Sequence, residues 1–504
     1  MKASVWSRPE QRQQETLLHT SPYKGPADFS PLDTYRPHGN SIDYVSLADL
    51  LRNAFVYPPH TIFRDVKNLV TGFDFQQFLE PEPAFRFAYH SALAKSRPSS
   101  RTMSDEALLR VYHELLTRAV RLCTADMQAP WLLQSGGKDS TSLAIAIADA
   151  RPDTTCITYL GGEEENEIAS ASHVARQLGL RHESLVCDPG RAYDRYLAMA
   201  PRMPLLTADF AMLSYVDLVT EIKGQADGVL DGLGADPYFG APLPLGERLQ
   251  LLLALGVKMP EAVFQLPLVR RHFKLCFVLG TLQMNTFERY FPGSRFSDAE
   301  VDKLFGWPVA EHSRRRMEVF SDELRAARSV EAVRRIVLVI LEAQGFAKGM
   351  YPANAMKLRM AYPHCDKRLS EWVFNEVPND RLMGPGGINK VLMRRYIAQR
   401  FTKLPYVQSK GSFRFNVRGL ASQRFEQVHA FAWQARALLP GAKKWLEDHR
   451  HCLDNKFFAS KFYLLAVTMP WLLCRFDNVA STADDDEPCS RNDSTTDVCS
   501  TRAD

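Results

Sequence analysis

The chain has 504 residues, of which 45% are hydrophobic and 24% charged, with a formal net charge of +4. That is the composition of an ordinary globular protein of about two to three domains, and so mild a charge gives no warrant for a nucleic-acid or membrane partner. The start, Met1-Lys2-Ala3-Ser4-Val5-Trp6-Ser7, lacks the apolar core of a signal peptide, and the nine cysteines are scattered without a CxxC pair. Both features fit a cytoplasmic protein with reduced thiols.

Residues 1–40 are polar and carry Pro9, Pro22, Pro26, Pro31 and Pro37, which predicts a loosely ordered arm. A short amphipathic helix is expected over residues 46–55, followed by a loop and a short strand near Val66 to Leu69. Leu108, Leu109, Val111, Tyr112, Leu115, Leu116 and Val120 then recur at helical spacing over residues 105–122. Next comes an alternation typical of a parallel sheet. Strands are expected at 131–134, 155–160, 183–186 and 228–230, and helices at 140–150, 167–178 and around 212–222. This predicts a doubly wound α/β fold, whose ligands belong at the carboxyl ends of the strands.

Beyond about residue 245 the pattern turns helical, as where Val330, Val333, Ile336, Val337 and Ile340 share a face. The apolar run 462–474 is short for a membrane span and contains Pro470, so a buried helix is expected. His449, His451 and Cys452 lack a second half at zinc-site spacing and read as structural. Residues 479–504, with Asp484-Asp485-Asp486-Glu487, predict a disordered acidic tail.

Two loops carry chemistry. The first is Leu132-Leu133-Gln134-Ser135-Gly136-Gly137-Lys138-Asp139-Ser140-Thr141, an apolar strand running through glycines into a helix. Such a joint gathers backbone N–H groups at the positive end of a helix dipole, and the glycines let an anion come close. Asp139 would repel a bare phosphate, which suggests a bridging Mg2+. The string resembles the SGGxDS loop of the PP-loop ATP pyrophosphatases, which cleave ATP between the α and β phosphates. It lacks the Gly-Lys-Ser/Thr ending of a Walker loop.

The second loop, Leu230-Asp231-Gly232-Leu233-Gly234-Ala235-Asp236-Pro237-Tyr238-Phe239-Gly240, looks like the SGEGADELFGG signature of the asparagine synthetase C-terminal domain. Three further stretches are similar to that family: Glu167 to His182, Tyr362 to Leu369, and Lys390-Val391-Leu392-Met393-Arg394 through Leu404-Pro405 to Lys410-Gly411-Ser412-Phe413. Tyr57-Pro58-Pro59-His60-Thr61-Ile62-Phe63 resembles the hinge that ends the family's amino-terminal domain. The resemblance implies a remnant of that domain and hinge at 41–95 and a synthetase domain at 100–478.

It also implies roles. Ser135, Gly136, Gly137, Ser140, Thr141 and Gly234 would bind the nucleotide phosphates, and Leu133 and Leu160 would flank the adenine. Asp139 and Asp236 would hold Mg2+, and Lys410 would offset the developing charge. The expected function is ATP-dependent adenylation of a small-molecule or peptide carboxylate, followed by transfer to an amine or ammonia.

Two departures qualify that expectation. Position 2 is Lys2, where the family's glutaminase domain begins with a nucleophilic cysteine, so ammonia is expected to come free, from another chain, or as a substrate amine. Leu233 replaces the family's glutamate, leaving Asp231 as the candidate carboxylate for the amine step. The alternatives are an ammonia-dependent asparagine synthase, a tailoring ligase, or a non-catalytic nucleotide-binding homologue.

Overall fold

The computed structural model describes residues 15–37, 41–73, 103–161, 167–240, 259–284, 288–290, 295–327, 330–404 and 415–476. Five parallel strands form its central sheet: β3 (Pro130–Leu133), β4 (Thr155–Leu160), β5 (Arg181–Val186), β6 (Gly228–Leu230) and β7 (Arg359–Ala361). Their order is β5-β4-β3-β6-β7. The chain therefore winds outward from β3 through β4 to β5, then returns to the other side of β3. The switch point lies between the carboxyl ends of β3 and β6, where an open α/β sheet presents its ligand crevice.

Alternation along the strands divides the core. Trp131, Ile157 and Val229 join one apolar cluster with Tyr193, Tyr196, Met212 and Val216. Leu132, Cys156 and Leu230 join another with Tyr112, Leu116, Leu143 and Ile147. Successive side chains of a strand point to opposite faces, so both faces of the sheet are covered by helices. Asp105–Cys123 packs on Lys138–Ala150, Pro189–Met199 packs on Met212–Ile222, and the long helix Val330–Ala355 also lies on Met212–Ile222.

The helices and strands expected up to residue 230 occur at or within two residues of their predicted ends, and the buried helix expected over 462–474 begins six residues earlier, at Lys456. The helix Val417–Gln434 packs against Lys456–Arg475. The latter is long and apolar enough by length and composition to cross a membrane, but it is buried from Phe457 to Leu472 and includes Pro470. His449 stacks on Trp445, with ring centroids 4.4 Å apart, and its Nδ1 lies 2.8 Å from the Trp445 carbonyl oxygen.

One expectation is corrected where the structure describes it. Within the predicted arm, residues 15–37 are folded: β1 (Thr16–His19) pairs in parallel with β2 (Val66–Leu69), and Leu18 and Phe29 are buried. Of the prolines that suggested disorder, Pro22 sits in a turn, Pro26 at a bend and Pro31 at the start of the short helix Ser30–Leu32, where a missing N–H costs nothing, while Pro9 lies outside the described residues. β7 and the helix Pro189–Met199 were not among the expected elements. The expected acidic tail and much of the 41–95 segment lie outside the described residues.

If β1 is part of the folded body, Leu18→Ala should cost about 2–5 kcal/mol, as for other fully buried leucines. Denaturant titration would reveal this as a lower midpoint, and an unchanged midpoint would show the segment to be peripheral.

Candidate active site

The loop after β3 is held by its own hydroxyls. The Ser135 backbone N–H donates to Ser140 Oγ at 3.1 Å, and the two serine hydroxyls lie 3.0 Å apart. The Gly137 N–H turns back onto the Ser135 carbonyl. The helix Lys138–Ala150 starts directly afterwards, so its first N–H groups, which have no partner within the helix, face the loop. Gly136 is buried and Ser135 is partly exposed. Thr141 is fully buried, and its hydroxyl has no hydrogen-bond partner among the described residues. Leu133 ends β3 and Leu160 ends the neighbouring β4.

The loop after β6 lies against this helix start. An added Cβ at Gly232 would come within 2.9 Å of the Ser140 nitrogen and 3.2 Å of the Asp139 Cβ, so only glycine permits the approach. Gly234 has φ +94°, and a Cβ there would collide with Cys365 Sγ. Its carbonyl accepts a hydrogen bond from the Tyr23 hydroxyl at 2.6 Å. Asp236 then opens the short helix Asp236–Phe239.

Asp139 and Asp236 converge on one side chain, Lys390. Its Nζ lies 2.6 and 2.7 Å from the two Asp139 carboxylate oxygens and 2.5 Å from Asp236 Oδ1. Lys390 is buried, and burial alone would push its ammonium toward neutrality. The two carboxylates outweigh that and hold its pKa above the ordinary lysine value. The helix Val391–Ala398 packs on Lys138–Ala150, and this packing delivers the lysine to Asp139.

Asp231 faces another way. It is buried, accepts the Tyr215 hydroxyl at 2.6 Å and the Leu233 N–H at 3.0 Å, and is pushed upward in pKa by burial despite those bonds and the nearby Lys348. Leu233 is partly buried against the apolar core. His364 Nε2 sits 3.3 Å from the Asp139 carbonyl oxygen, and burial lowers the pKa of its imidazole.

The structure thus brings together Ser135, Gly136, Gly137, Asp139, Ser140, Asp231, Gly234 and Asp236, with Leu133 and Leu160 at adjacent strand ends. Lys410 lies outside the described residues. Lys390 was visible in sequence only as part of a family-like stretch, with no role attached. His364 was visible in the same limited way, inside the family-like stretch Tyr362 to Leu369, and Tyr215 and Tyr23 carried no signal as site residues. Asp139 and Asp236 supply hard carboxylate oxygens to one point beside a phosphate-type loop, and a cationic centre is already stabilised there. That donor set suits Mg2+.

The five-stranded parallel sheet with a Ser-Gly-Gly loop at its switch point is a doubly wound α/β fold with its crevice between β3 and β6. The family model described as Asparagine synthase matches residues 112–434, and the chain belongs to that family of ATP-dependent ligases. No curated protein matches the chain. Among solved structures it is similar to the NH3-dependent NAD synthetase from Campylobacter jejuni subsp. jejuni NCTC 11168, at 10% identity over 49% of this chain and 96% of that one, with a TM-score of 0.22. It is also similar to NMN synthetase from Francisella tularensis, at 15% identity over 49% and 97% with a TM-score of 0.21. A third is NAD+ synthetase from Burkholderia pseudomallei, at 18% identity over 47% and 96% with a TM-score of 0.21.

The Gly234 geometry yields a two-part prediction. Gly234→Ala should destabilise the protein both through the collision with Cys365 and through left-handed strain of about 1–3 kcal/mol. Adding Cys365→Ala should restore only the collision part. Thermal melting of the double-mutant cycle checks this, and full additivity of the two substitutions would contradict it.

Proposed function

We propose that the protein activates a substrate carboxylate with ATP, forming an acyl-adenylate and pyrophosphate, and that an amine or ammonia then displaces AMP to give an amide. The observation that carries this reading is the meeting of Asp139 and Asp236, from two separate strand ends, beside the Ser135–Ser140 loop. A carboxylate is a poor electrophile at neutral pH, and adenylation supplies a leaving group.

In this reading the loop N–H groups and the Ser135 and Ser140 hydroxyls cradle the pyrophosphate, and Leu133 and Leu160 flank the adenine. Asp139 and Asp236 would hold Mg2+, which when bound offsets phosphate charge and orients the leaving group. By the family resemblance, Lys410 would steady the negative charge on the departing pyrophosphate. Asp231 supplies a carboxylate near the position where Leu233 has none. Burial holds its pKa above the ordinary aspartate value, which favours its taking up a proton.

With a competent acid, the products should be AMP and pyrophosphate. Asp139→Asn or Asp236→Asn should slow their formation by roughly two or more orders of magnitude. Release of ADP and phosphate would sink the adenylation mechanism.

A narrower reading concerns the acceptor. Leu233 leaves no carboxylate to deprotonate ammonium, which argues against ammonia attacking aspartyl adenylate and for a dedicated amine substrate. Ammonia-dependent asparagine formation is the alternative. Assaying aspartate, ATP and ammonium with wild type and Leu233→Glu separates the two. We expect negligible asparagine from the wild type, with nucleotide binding intact, and efficient asparagine formation would refute the narrower reading.

A further inference from the structure

We propose that Lys390 is a tethered counter-cation that holds the metal position in the nucleotide-free protein and yields it only when phosphates arrive to receive the ammonium. This rests on the assignment of Asp139 and Asp236 as the metal-holding pair.

The geometry makes the two cations mutually exclusive. The ammonium nitrogen is 2.6 and 2.7 Å from the oxygens of Asp139 and 2.5 Å from Asp236. A divalent ion of the Mg2+ type binds carboxylate oxygens at about 2.0–2.1 Å. An ion bridging the same carboxylates would occupy nearly the same space as Nζ, and two cations so close repel strongly.

The burial pattern says which way the exchange runs. The Lys390 side chain is 3% exposed, whereas those of Asp139 and Asp236 are 34% and 46% exposed. An incoming ion therefore reaches the carboxylates from their open side, while the ammonium lies on their buried side. A buried charge without a partner is costly, so the ammonium needs another anion nearby. The Ser135–Ser140 loop beside Asp139 is where phosphates would supply one. The mount is fixed: Lys390 sits at φ +57°, an uncommon backbone state for a lysine, between the Met383–Asn389 bridge and the helix Val391–Ala398. The side chain, not the backbone, makes the move. Metal and polyphosphate binding are then coupled through one lysine, and the coupling is positive.

The test uses Mn2+ alone, read by the electron paramagnetic resonance signal of the free ion, with no nucleotide and no turnover. Wild type should bind Mn2+ weakly. Lys390→Met, which keeps the length of the chain without its charge, should bind Mn2+ at least tenfold more tightly. Mn2+ should also raise the melting temperature of Lys390→Met while leaving that of wild type unchanged. Adding Asp236→Asn to Lys390→Met should abolish the gain, which places the ion at the carboxylate pair. A folded Lys390→Met protein that binds Mn2+ no more tightly than wild type would overturn the proposal. Tight, stoichiometric Mn2+ binding by nucleotide-free wild type that Asp139→Asn removes would overturn it as well, and needs no Lys390 variant. The ligase reading fails on a different result, the absence of AMP and pyrophosphate with any acid.

Discussion

The site depends on one close approach. Gly232 lets the loop after β6 lie directly on the backbone where the helix Lys138–Ala150 begins. A Cβ at that position would come within 2.9 Å of the Ser140 backbone nitrogen, so any side chain there would force the two loops apart. The approach in turn requires β3 and β6 to be adjacent, which the winding of the sheet provides. With the loops in contact, Asp139 and Asp236 can share one cation, and Lys390 can be that cation.

The carboxylates around the switch point live in different surroundings, and the difference has chemical content. Asp139 and Asp236 are partly exposed and share a buried ammonium. Asp231 is buried, which favours its protonated form more than open water would, even though it accepts the Tyr215 hydroxyl.

The two loops were legible in the sequence because glycines and aspartates gathered at a strand-to-helix turn suit the binding of an anion and its cation better than they suit packing. β3, β4 and β6 were legible because apolar residues fill both faces of a covered strand. β7 escaped notice because it is three residues long and begins with the exposed Arg359. The helix Pro189–Met199 carried a readable start, with Asp188 capping it and Pro189 at its first turn. Its arginines obscured the pattern, and the structure shows why they are tolerated: Arg191 and Arg195 both pair with the fully buried Asp217. Lys390 could not be read as a site residue because its partner Asp139 lies 251 positions away. Nothing local to a lysine reports a contact made by two helices packing side by side. The folding of residues 15–37 was missed for a similar reason, since composition registers prolines but not the strand they flank.

Tyr23 gives that last segment a further meaning. Its hydroxyl holds the Gly234 carbonyl, and its ring lies 5.3 Å from that of Tyr238 and 6.1 Å from that of Phe346. The stretch that matches the family begins at residue 112, inside the helix Asp105–Cys123. A protein trimmed to that boundary would keep every loop residue yet lose a wall of the crevice and split a helix. For this chain, the unit of inheritance recognised by similarity and the unit that assembles the crevice are not the same piece of polypeptide.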